Sequence, residues 1–385
     1  MTAEFSSLAI YFHIPFCKSK CSYCDFNSYP GKEGLVEDYF KALEREATLY
    51  SKSIDGSSYS TNSINTVFIG GGTPSYIETD KICHLLRNLK SGFRLANDAE
   101  VSIECNPGTI TMEKLDRYLD CGINRLSFGV QSFSDRLLQK LGRIHTVKEA
   151  FHALDMAFKA GFKNVNADLI FGIPGQTLEE WVLTLNEIMQ FPLTHLSCYS
   201  LKIEEGTPLS AQVSSGEAVP MDDELDREMY HLSIDFLKSK GLKHYEISNF
   251  AIPGRECRHN LVYWNGRQYI GLGAGAHSFF KGCRYHNIES PEKYIDQSAK
   301  SLQKLDIEKI GRNEAMSEFM ILGLRLIKGV NDEEFISKFG ISISEKFPGK
   351  IKTLSNRGLV KTNNGNISLT ALGLDLCNQV FVEFI

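Results

Sequence analysis

Three cysteines near the N-terminus are the residues of this sequence with the clearest chemical potential. Cys17, Cys21 and Cys24 stand within eight positions, directly after an apolar run over 8–16. Thiolates at such spacing are ligands of soft metal centres, and iron–sulfur clusters are held in this way. A cluster of four irons with three protein ligands keeps one iron open to a small molecule. The spacing therefore predicts a [4Fe–4S] cluster with an accessible iron.

A structural zinc site is the alternative for these thiols, with a fourth ligand such as His13. Structural zinc sites favour paired C-x2-C units and tetrahedral closure. The sequence contains no second C-x2-C pair. The cluster is therefore the favoured interpretation.

The cysteine run follows the first of six short β-rich stretches that alternate with longer amphipathic ones. The strand candidates are Leu8–Ile14, Thr66–Ile69, Glu100–Glu104, Arg125–Val130, Asn164–Ile170 and His195–Leu201, and the helix candidates are Leu35–Tyr50, Asp80–Leu89, Thr111–Leu119, Val147–Ala160 and Leu178–Met189. Strands that alternate with helices of this length are typical of βαβ units and a parallel sheet. Six units in series predict an α/β fold built on a partial (β/α)6 barrel.

Polar, thiol and glycine residues follow the ends of these strand candidates. The cysteine run comes after the first strand and Gly70–Pro74 after the second, while Glu104, Gln131 and Asp168 lie at or near the ends of the next three. In such barrels the functional residues lie at the C-terminal ends of the strands. We therefore expect these residues to ring one pocket.

The chain divides into three predicted domains. We expect a core domain over 1–245, a connecting segment over 246–310 that is irregular between 247 and 286, and a C-terminal domain over 311–385. The last part combines three helical patterns with a hairpin whose turn contains Asn363–Asn366. This order predicts a small winged-helix-like module. Its third helical pattern lacks a cluster of Lys and Arg, so we expect no binding of nucleic acid.

Composition and charge narrow the classes of protein that this chain can represent. The net charge of -5 over 385 residues gives no reason to expect nucleic acid or an anionic membrane as partner. No apolar run approaches the ~20 residues that span a bilayer, and the N-terminus lacks the pattern of a signal peptide. We expect a cytoplasmic protein without a transmembrane segment. A transient association with a membrane is compatible with this pattern, and so is either a monomer or a homodimer.

The cysteine run after the first strand of a β/α repeat resembles the radical S-adenosylmethionine (SAM) enzymes. The resemblance implies that the open iron binds the amino and carboxylate groups of SAM, and that electron transfer from the cluster cleaves SAM to methionine and a 5′-deoxyadenosyl radical. By motif position, the implied SAM contacts are Tyr11, Gly71, Gly72, Thr73, Glu104, Gln131, Arg143 and Asp168. For Arg143 the alternative is an ordinary arginine at the end of a helix.

Longer motifs make the sequence similar to the oxygen-independent coproporphyrinogen III oxidases. These motifs are YFHIPFC (11–17), GGGTP (70–74), IECNP (103–107), GVQS (129–132) and DLIFGIPG (168–175). The chain departs from that family at Phe26, where the oxidases carry a fourth cysteine, and in reaching Cys17 without their N-terminal extension. Both departures, with the HNxxYW motif over 259–264, resemble the related heme chaperones of the HemW type.

The second resemblance implies heme as cargo and apo-hemoproteins as acceptors, beside the cluster and SAM as cofactors. His259 is then the first candidate for a heme ligand, with Tyr263 and Trp264 as flat apolar surface and His277 as a second candidate ligand. Alternatively, His259 and Trp264 pack the segment onto the barrel rim.

Two other functions stay open at this point. One is oxidative decarboxylation of coproporphyrinogen III, and the other is a non-catalytic module with a structural or regulatory cluster. The sequence does not decide whether the site is that of an enzyme, although a chaperone without oxidase activity is the favoured hypothesis.

Overall fold

The computed structural model describes residues 7–54, 63–298, 301–302 and 304–385. Its N-terminal half alternates strands and helices as the sequence predicts. The elements are β1 (Ser7–Ile14), β2 (Phe16–Cys17), β3 (Tyr29–Pro30), α1 (Val36–Ile54), β4 (Ser63–Gly71), α2 (Thr79–Gly92), β5 (Leu95–Cys105), α3 (Met112–Cys121), β6 (Arg125–Gln131), α4 (Asp135–Lys140), α5 (Val147–Lys159), β7 (Val165–Phe171), α6 (Leu178–Ile188) and β8 (His195–Ser200).

Six of these strands form one parallel sheet in the order β1-β4-β5-β6-β7-β8. Their residues are buried almost without interruption, as in β6 and β7. Such continuous burial is typical of parallel strands that helices cover on the outside. The predicted α/β fold with a partial (β/α)6 barrel is therefore confirmed.

Local sequence signals fix where the covering helices begin. Thr146 and Thr177 each form a capping box with the glutamate three residues later, at the starts of α5 and α6. Such boxes satisfy backbone N–H groups that have no partner within the helix. Trp181 of α6 is fully buried and donates its Nε1–H to the carbonyl of Met229 at 3.1 Å. This contact joins α6 to the long helix that follows the barrel.

The segment after β8 adds six strands to the same sheet. Its elements are α7 (Pro208–Ser214), α8 (Asp223–Ser239), β9 (Lys243–Glu246), β10 (Asn249–Ala251), α9 (Arg258–Trp264), β11 (Tyr269–Leu272), β12 (His277–Phe280), β13 (Cys283–His286), α10 (Pro291–Ser298) and β14 (Leu305–Lys309). β11 pairs in parallel with β1, and β12, β13 and β14 extend the sheet in antiparallel order, while β10 and β9 extend it beyond β8.

The expectation of an irregular segment between 247 and 286 was therefore wrong. Its strands contain only three or four residues each, which is too short for an alternation of apolar and polar residues to be recognised. The turn between β11 and β12 also uses two glycines in the left-handed region, Gly273 at φ 106° and Gly275 at φ 74°. Glycine adopts these angles without a steric penalty.

A buried carboxylate ties that glycine turn to α1. Glu46 accepts hydrogen bonds from Gly273 N at 2.9 Å, Asn287 Nδ2 at 2.7 Å and Tyr294 OH at 2.6 Å. Burial raises the pKa of Glu46 to about 7, although the three donors act in the opposite direction. The turn that leads into β12 is thus fixed against the barrel.

The C-terminal part has its own hydrophobic cluster, which includes Phe335 and Leu354. Its elements are α11 (Arg312–Gly323), β15 (Val330–Asn331), α12 (Asp332–Phe339), α13 (Ile343–Lys346), α14 (Lys350–Asn356), β16 (Val360–Asn363), β17 (Asn366–Leu369), α15 (Ala371–Asp375) and α16 (Cys377–Val382). The hairpin β16–β17 turns at Asn364 and Gly365, both with positive φ, as a two-residue turn requires.

Helices followed by this small sheet have the order of the predicted winged-helix-like module. The expected third helix over 344–357 is two short helices, because Pro348 and Gly349 interrupt it. The predicted domain boundaries at 245 and 310 stay a prediction. Among the described residues, no helix combines the length and apolar character that crossing a membrane requires.

Candidate functional site

The cysteine loop lies at the C-terminal end of β1 and is held by backbone contacts. Cys17 is buried at the end of β2, while Cys21 and Cys24 are half-buried. Between them, Ser22 donates its backbone N–H to Leu141 O at 3.0 Å and its hydroxyl to Lys140 O at 2.9 Å. The three thiols are therefore positioned by β1 on one side and by the end of α4 on the other.

Two side chains donate to the thiols. Thr73 Oγ1 donates to Cys17 Sγ at 3.4 Å, and Arg143 Nη1 donates to Cys21 Sγ at 3.5 Å. Burial raises the pKa of both Cys17 and Cys24. Donors beside sulfur stabilise thiolates and tune iron–sulfur clusters. These surroundings fit a buried thiolate centre.

The three thiols do not surround a single point. Within the described ranges, no three or more His, Cys, Asp or Glu side chains form a group that could hold one metal ion. A four-iron cluster has a different iron for each thiolate, so its ligands need not meet at one point. His13, the candidate fourth ligand of a zinc site, bonds instead to Tyr11 OH at 3.0 Å and Asn27 O at 2.7 Å.

The glycine run after β4 brings the backbone close to the thiols. A Cβ at Gly72 would lie 2.8 Å from Cys17 Sγ and 2.8 Å from Phe16 O. Gly71 has φ 119° and donates its N–H to Glu104 Oε2 at 3.0 Å. Side chains at these positions would fill the space beside the cysteines. The run therefore shapes a cradle that a ligand can enter.

Two half-buried carboxylates, Glu104 and Asp168, lie at the ends of β5 and β7 and face the thiols' cavity. Burial, followed by the charge of Asp168, raises the pKa of Glu104 to about 8. Burial also raises the pKa of Asp168, although Ser197 and Asn166 act in the opposite direction. Among the residues that the structure describes, neither carboxylate forms an ion pair. Half-buried carboxylates of this kind favour a cationic ligand.

Gln131 and Arg143 complete the rim, and each keeps a buried polar atom without a partner. Gln131 has φ 67°, unusual for a residue other than glycine, and its Oε1 has no hydrogen-bond partner among the described residues. Arg143 donates Nη2–H to Gly129 O at 2.7 Å, but its Nε–H has no partner there. Buried groups in native proteins are nearly always satisfied. These orphaned atoms could pair with a polar ligand, and they favour a binding role for Arg143 over that of an ordinary helix-end arginine.

One cavity collects most of the predicted site. It is lined by all three cysteines and by seven of the eight predicted SAM contacts, namely Gly71, Gly72, Thr73, Glu104, Gln131, Arg143 and Asp168. The donor set suits the superfamily's groups: thiols for a cluster, carboxylates for an ammonium or ribose hydroxyls, and a guanidinium for a carboxylate. The residues present therefore fit a [4Fe–4S] cluster with SAM.

A second cavity of about 410 Å³ adjoins the first. Tyr11, the remaining predicted SAM contact, lines this cavity together with Tyr263, Tyr269 and His277. Gly71, Glu104 and Phe26 border both cavities. Phe26 is 61% exposed at their common edge.

Of the three candidate heme residues, only Tyr263 lines the second cavity. His259 is buried with Nδ1 at 2.9 Å from Thr66 Oγ1 and Nε2 at 2.9 Å from Tyr263 OH. Burial lowers the pKa of His259 to about 3. Trp264 lies outside both cavities, beneath the Arg325 guanidinium at 4.5 Å from its ring centroid. In this conformation His259 has no free nitrogen for iron, and its role as a ligand stays a prediction.

The sequence did not predict two features of the site: the residues that hydrogen-bond to Asp168, and Tyr269 in the wall of the second cavity. Asn166 Nδ2 and Ser127 Oγ donate to the Asp168 carboxylate at 2.9 Å and 3.2 Å. The i, i+2 spacing of Asn166 and Asp168 on β7 was the available signal, because alternate residues of a strand share a face. No comparable signal pointed to Tyr269, since its strand was not recognised.

Comparisons with known proteins agree with this geometry. Residues 11–188 match the Radical SAM superfamily, and residues 310–376 match the HemN C-terminal domain. The chain is 37% identical to heme chaperone HemW of Bacillus subtilis, covering 97% of this chain and 98% of that protein. It is 36% identical to heme chaperone HemW of Escherichia coli, covering 87% and 86% of the two.

Among solved structures, coproporphyrinogen III oxidase (HemN) from Escherichia coli, described as a radical SAM enzyme, has the same fold. The TM-score is 0.85 at 24% identity, covering 98% of this chain and 90% of that one. The thiol loop, the strand-end carboxylates and the full-length similarity lead to one conclusion: the chain belongs to the HemW family of the radical SAM superfamily.

Proposed function

We propose that this protein is a cytoplasmic heme chaperone, which binds heme and delivers it to acceptor apo-hemoproteins. The observation that carries the proposal is the 37% identity to a heme chaperone over 97% of the chain. Phe26 supports it, because it occupies the position at which the oxidases carry a fourth cysteine. The sequence thus keeps the cluster ligands and departs from the oxidase pattern beside them.

In this proposal Cys17, Cys21 and Cys24 each bind one iron of a [4Fe–4S] cluster. The fourth iron is free for the amino and carboxylate groups of SAM. Glu104 and Asp168 then supply negative charge for the positive groups of SAM, and Arg143 faces its carboxylate. When bound, the cluster and SAM supply one-electron chemistry at the sulfonium.

The second cavity supports the cargo side of the proposal. Its volume of about 410 Å³ falls in the range of ligand pockets, about 300–1,000 Å³. Aromatic side chains, among them Tyr263 and Tyr269, form part of its wall. Aromatic walls beside a few polar groups are typical of sites for flat, largely apolar ligands.

The experiment that tests the proposal separates delivery from oxidation. The full chain is reconstituted with iron and sulfide without oxygen, and one portion receives reductant, SAM and coproporphyrinogen III. A second portion is titrated with hemin and, after removal of free hemin, mixed with an apo-hemoprotein such as apomyoglobin. We expect stoichiometric binding of hemin, transfer to the acceptor and no formation of protoporphyrinogen.

Three outcomes would contradict the proposal. Formation of protoporphyrinogen IX would identify an oxidase, and failure to bind hemin would exclude a chaperone. Binding without transfer would favour a module with a structural or regulatory cluster. Free hemin at the same concentration, mixed with the same acceptor, is the control for transfer that does not involve the protein.

A further inference from the structure

We infer that His277 is the side chain that ligates the iron of heme in the second cavity. This inference rests on the proposed heme-binding function and names the ligand within that site. It reverses the order of the two sequence candidates, in which His259 came first. Four features of the structure support it: the location of the ring, its free nitrogens, its support from behind and the walls around it.

His277 lies at the start of β12, directly after the glycine turn, and its side chain is exposed at the second cavity. His13 is the one other histidine that lines this cavity. Both ring nitrogens of His13 are engaged, by Tyr11 OH and by Asn27 O. His259 is likewise engaged on both sides, by Thr66 and Tyr263. An imidazole must present a nitrogen lone pair in order to bind iron.

Neither nitrogen of His277 has a hydrogen-bond partner among the residues that the structure describes. His152 is the other histidine of this kind, but it lies on the exposed side of α5 and outside both cavities. Each of the remaining histidines has at least one engaged nitrogen, as His195 has with Asn166 and Tyr245, and apart from His13 none of them lines the second cavity. His277 therefore combines a free imidazole with a position at the cavity.

A second histidine supports the His277 ring from behind. The rings of His277 and His286 stack with centroids 5.1 Å apart and an interplanar angle of 27°. His286 is itself fixed, because Nδ1 lies 2.9 Å from Asn287 O and Nε2 lies 2.9 Å from Asp306 Oδ2. The Gly273 turn before His277 is anchored on Glu46. Metal ligands are commonly oriented by such supporting groups.

The walls of the cavity restrict how heme can enter. Tyr263 and Tyr269 pack edge to face with centroids 4.7 Å apart and offer apolar surface. Asp25 and Glu289 also line the cavity. Carboxylates repel the propionates of heme, so the propionates face the opening and the apolar edge of the macrocycle enters first. This orientation brings the macrocycle past the exposed His277.

The test is a titration of the reconstituted full chain with ferric hemin, monitored by absorption spectroscopy and electron paramagnetic resonance. His277→Ala is compared with His259→Gln and with His152→Ala, the control on α5. Cluster absorbance and SAM binding are recorded for every variant, so that a folding defect is recognised. His277→Met provides a second variant, because methionine is also a heme ligand and gives a distinct spectrum.

We expect His277→Ala to lose the spectral signature of histidine ligation and to bind hemin about tenfold more weakly or worse. His277→Met should shift the absorption bands, while His152→Ala and His259→Gln should keep the wild-type spectrum. The inference is overturned if His277→Ala and His277→Met keep the wild-type spectrum, or if His259→Gln loses it with cluster and SAM binding intact. If the wild-type chain binds no hemin, the proposed function itself fails. If the wild type binds hemin and the variants at position 277 bind it equally well, only the assignment of the ligand fails.

Discussion

Glu104 should make the binding of SAM depend on pH. Glu104 is half-buried at the cavity, and the loss of solvent around its carboxyl, followed by the charge of Asp168, raises its pKa to about 8. At pH 7 it is therefore mostly protonated, whereas the positive sulfonium of SAM favours its ionised form. Binding must then release a proton, so that affinity rises with pH up to the pKa. For each pH unit below the pKa, ionising Glu104 costs about 1.4 kcal/mol of the free energy of SAM binding.

The expected magnitude follows from these values. Between pH 6.0 and 7.0 the ionised fraction of Glu104 rises about tenfold, so this group alone should raise the affinity for SAM about tenfold. The amino group of SAM must also lose its proton in order to bind iron, and below its pKa of about 7.7–8.0 this adds the same pH dependence to every variant. Glu104→Gln cannot ionise. It should bind SAM more weakly and keep only the pH dependence that comes from the amino group.

The assay is anaerobic calorimetry on the reconstituted protein in two buffers that differ in ionisation enthalpy. At pH 7 the wild type should release close to one proton more per SAM than Glu104→Gln, because the proton from the amino group of SAM is common to both. Asp168→Asn removes a charge that raises the pKa of Glu104. The rise of SAM affinity with pH should therefore occur at lower pH in this variant. Glu113→Gln, on the exposed surface of α3, is the matched control. A wild-type affinity that does not change with pH, or the same slope in Glu104→Gln as in the wild type, would refute the reasoning.

Gly72→Ala should lower the iron content after reconstitution, because the added Cβ would lie 2.8 Å from Cys17 Sγ. Gly34→Ala is the control and should keep the wild-type iron content, because no atom lies within 4 Å of its added Cβ. Equal iron content in both would contradict this. Burial raises the pKa of Glu46 from 4.5 to about 7, so the free energy of unfolding should fall by about 2–3 kcal/mol between pH 5 and pH 8. The folded state holds the extra proton there, so stability falls as pH rises; urea unfolding at both pH values should show no such loss in Glu46→Gln. Trp181→Phe should lower the unfolding midpoint by an amount equivalent to about 1 kcal/mol, since it removes the Nε1–H that Met229 O accepts. An unchanged midpoint would show that this bond contributes little.

The first cavity could be predicted from the sequence because one geometric rule assembles it. Parallel strands in sequential order place Glu104, Gln131 and Asp168 at one edge, whatever the details of the helices between them. The spacing of the cysteines added the thiols to that edge. The alternation of strands and helices and the spacing of the cysteines are both local patterns, and only the order of the strands in the sheet is needed to bring their residues together. The side chains that support Asp168 required only the alternation of residues along β7.

The second cavity could not be predicted in this way because its wall depends on a long-range pairing. β11 pairs with β1 across more than 250 residues of chain, and no local pattern indicates that pairing. The same pairing decides the environment of His259, which meets Thr66 of β4 and so becomes buried. His277 acquires its position from the strand that follows. A motif can therefore be recognised in sequence while the function of its histidine depends on the fold.

The shared wall explains how an acidic cavity can border a site for an anionic porphyrin. Gly71, Glu104 and Phe26 line both cavities, and Glu104 accepts the Gly71 N–H at 3.0 Å. Without SAM, Glu104 is largely protonated near pH 7, since its pKa is about 8. With SAM, its negative charge is offset by the positive groups of the ligand. In both states Glu104 itself adds little net negative charge to the shared wall, so in the proposed function SAM can bind beside heme without Glu104 repelling the porphyrin. Any effect of SAM on heme affinity must be matched by an equal effect of heme on SAM affinity, because coupling between two binding sites is reciprocal.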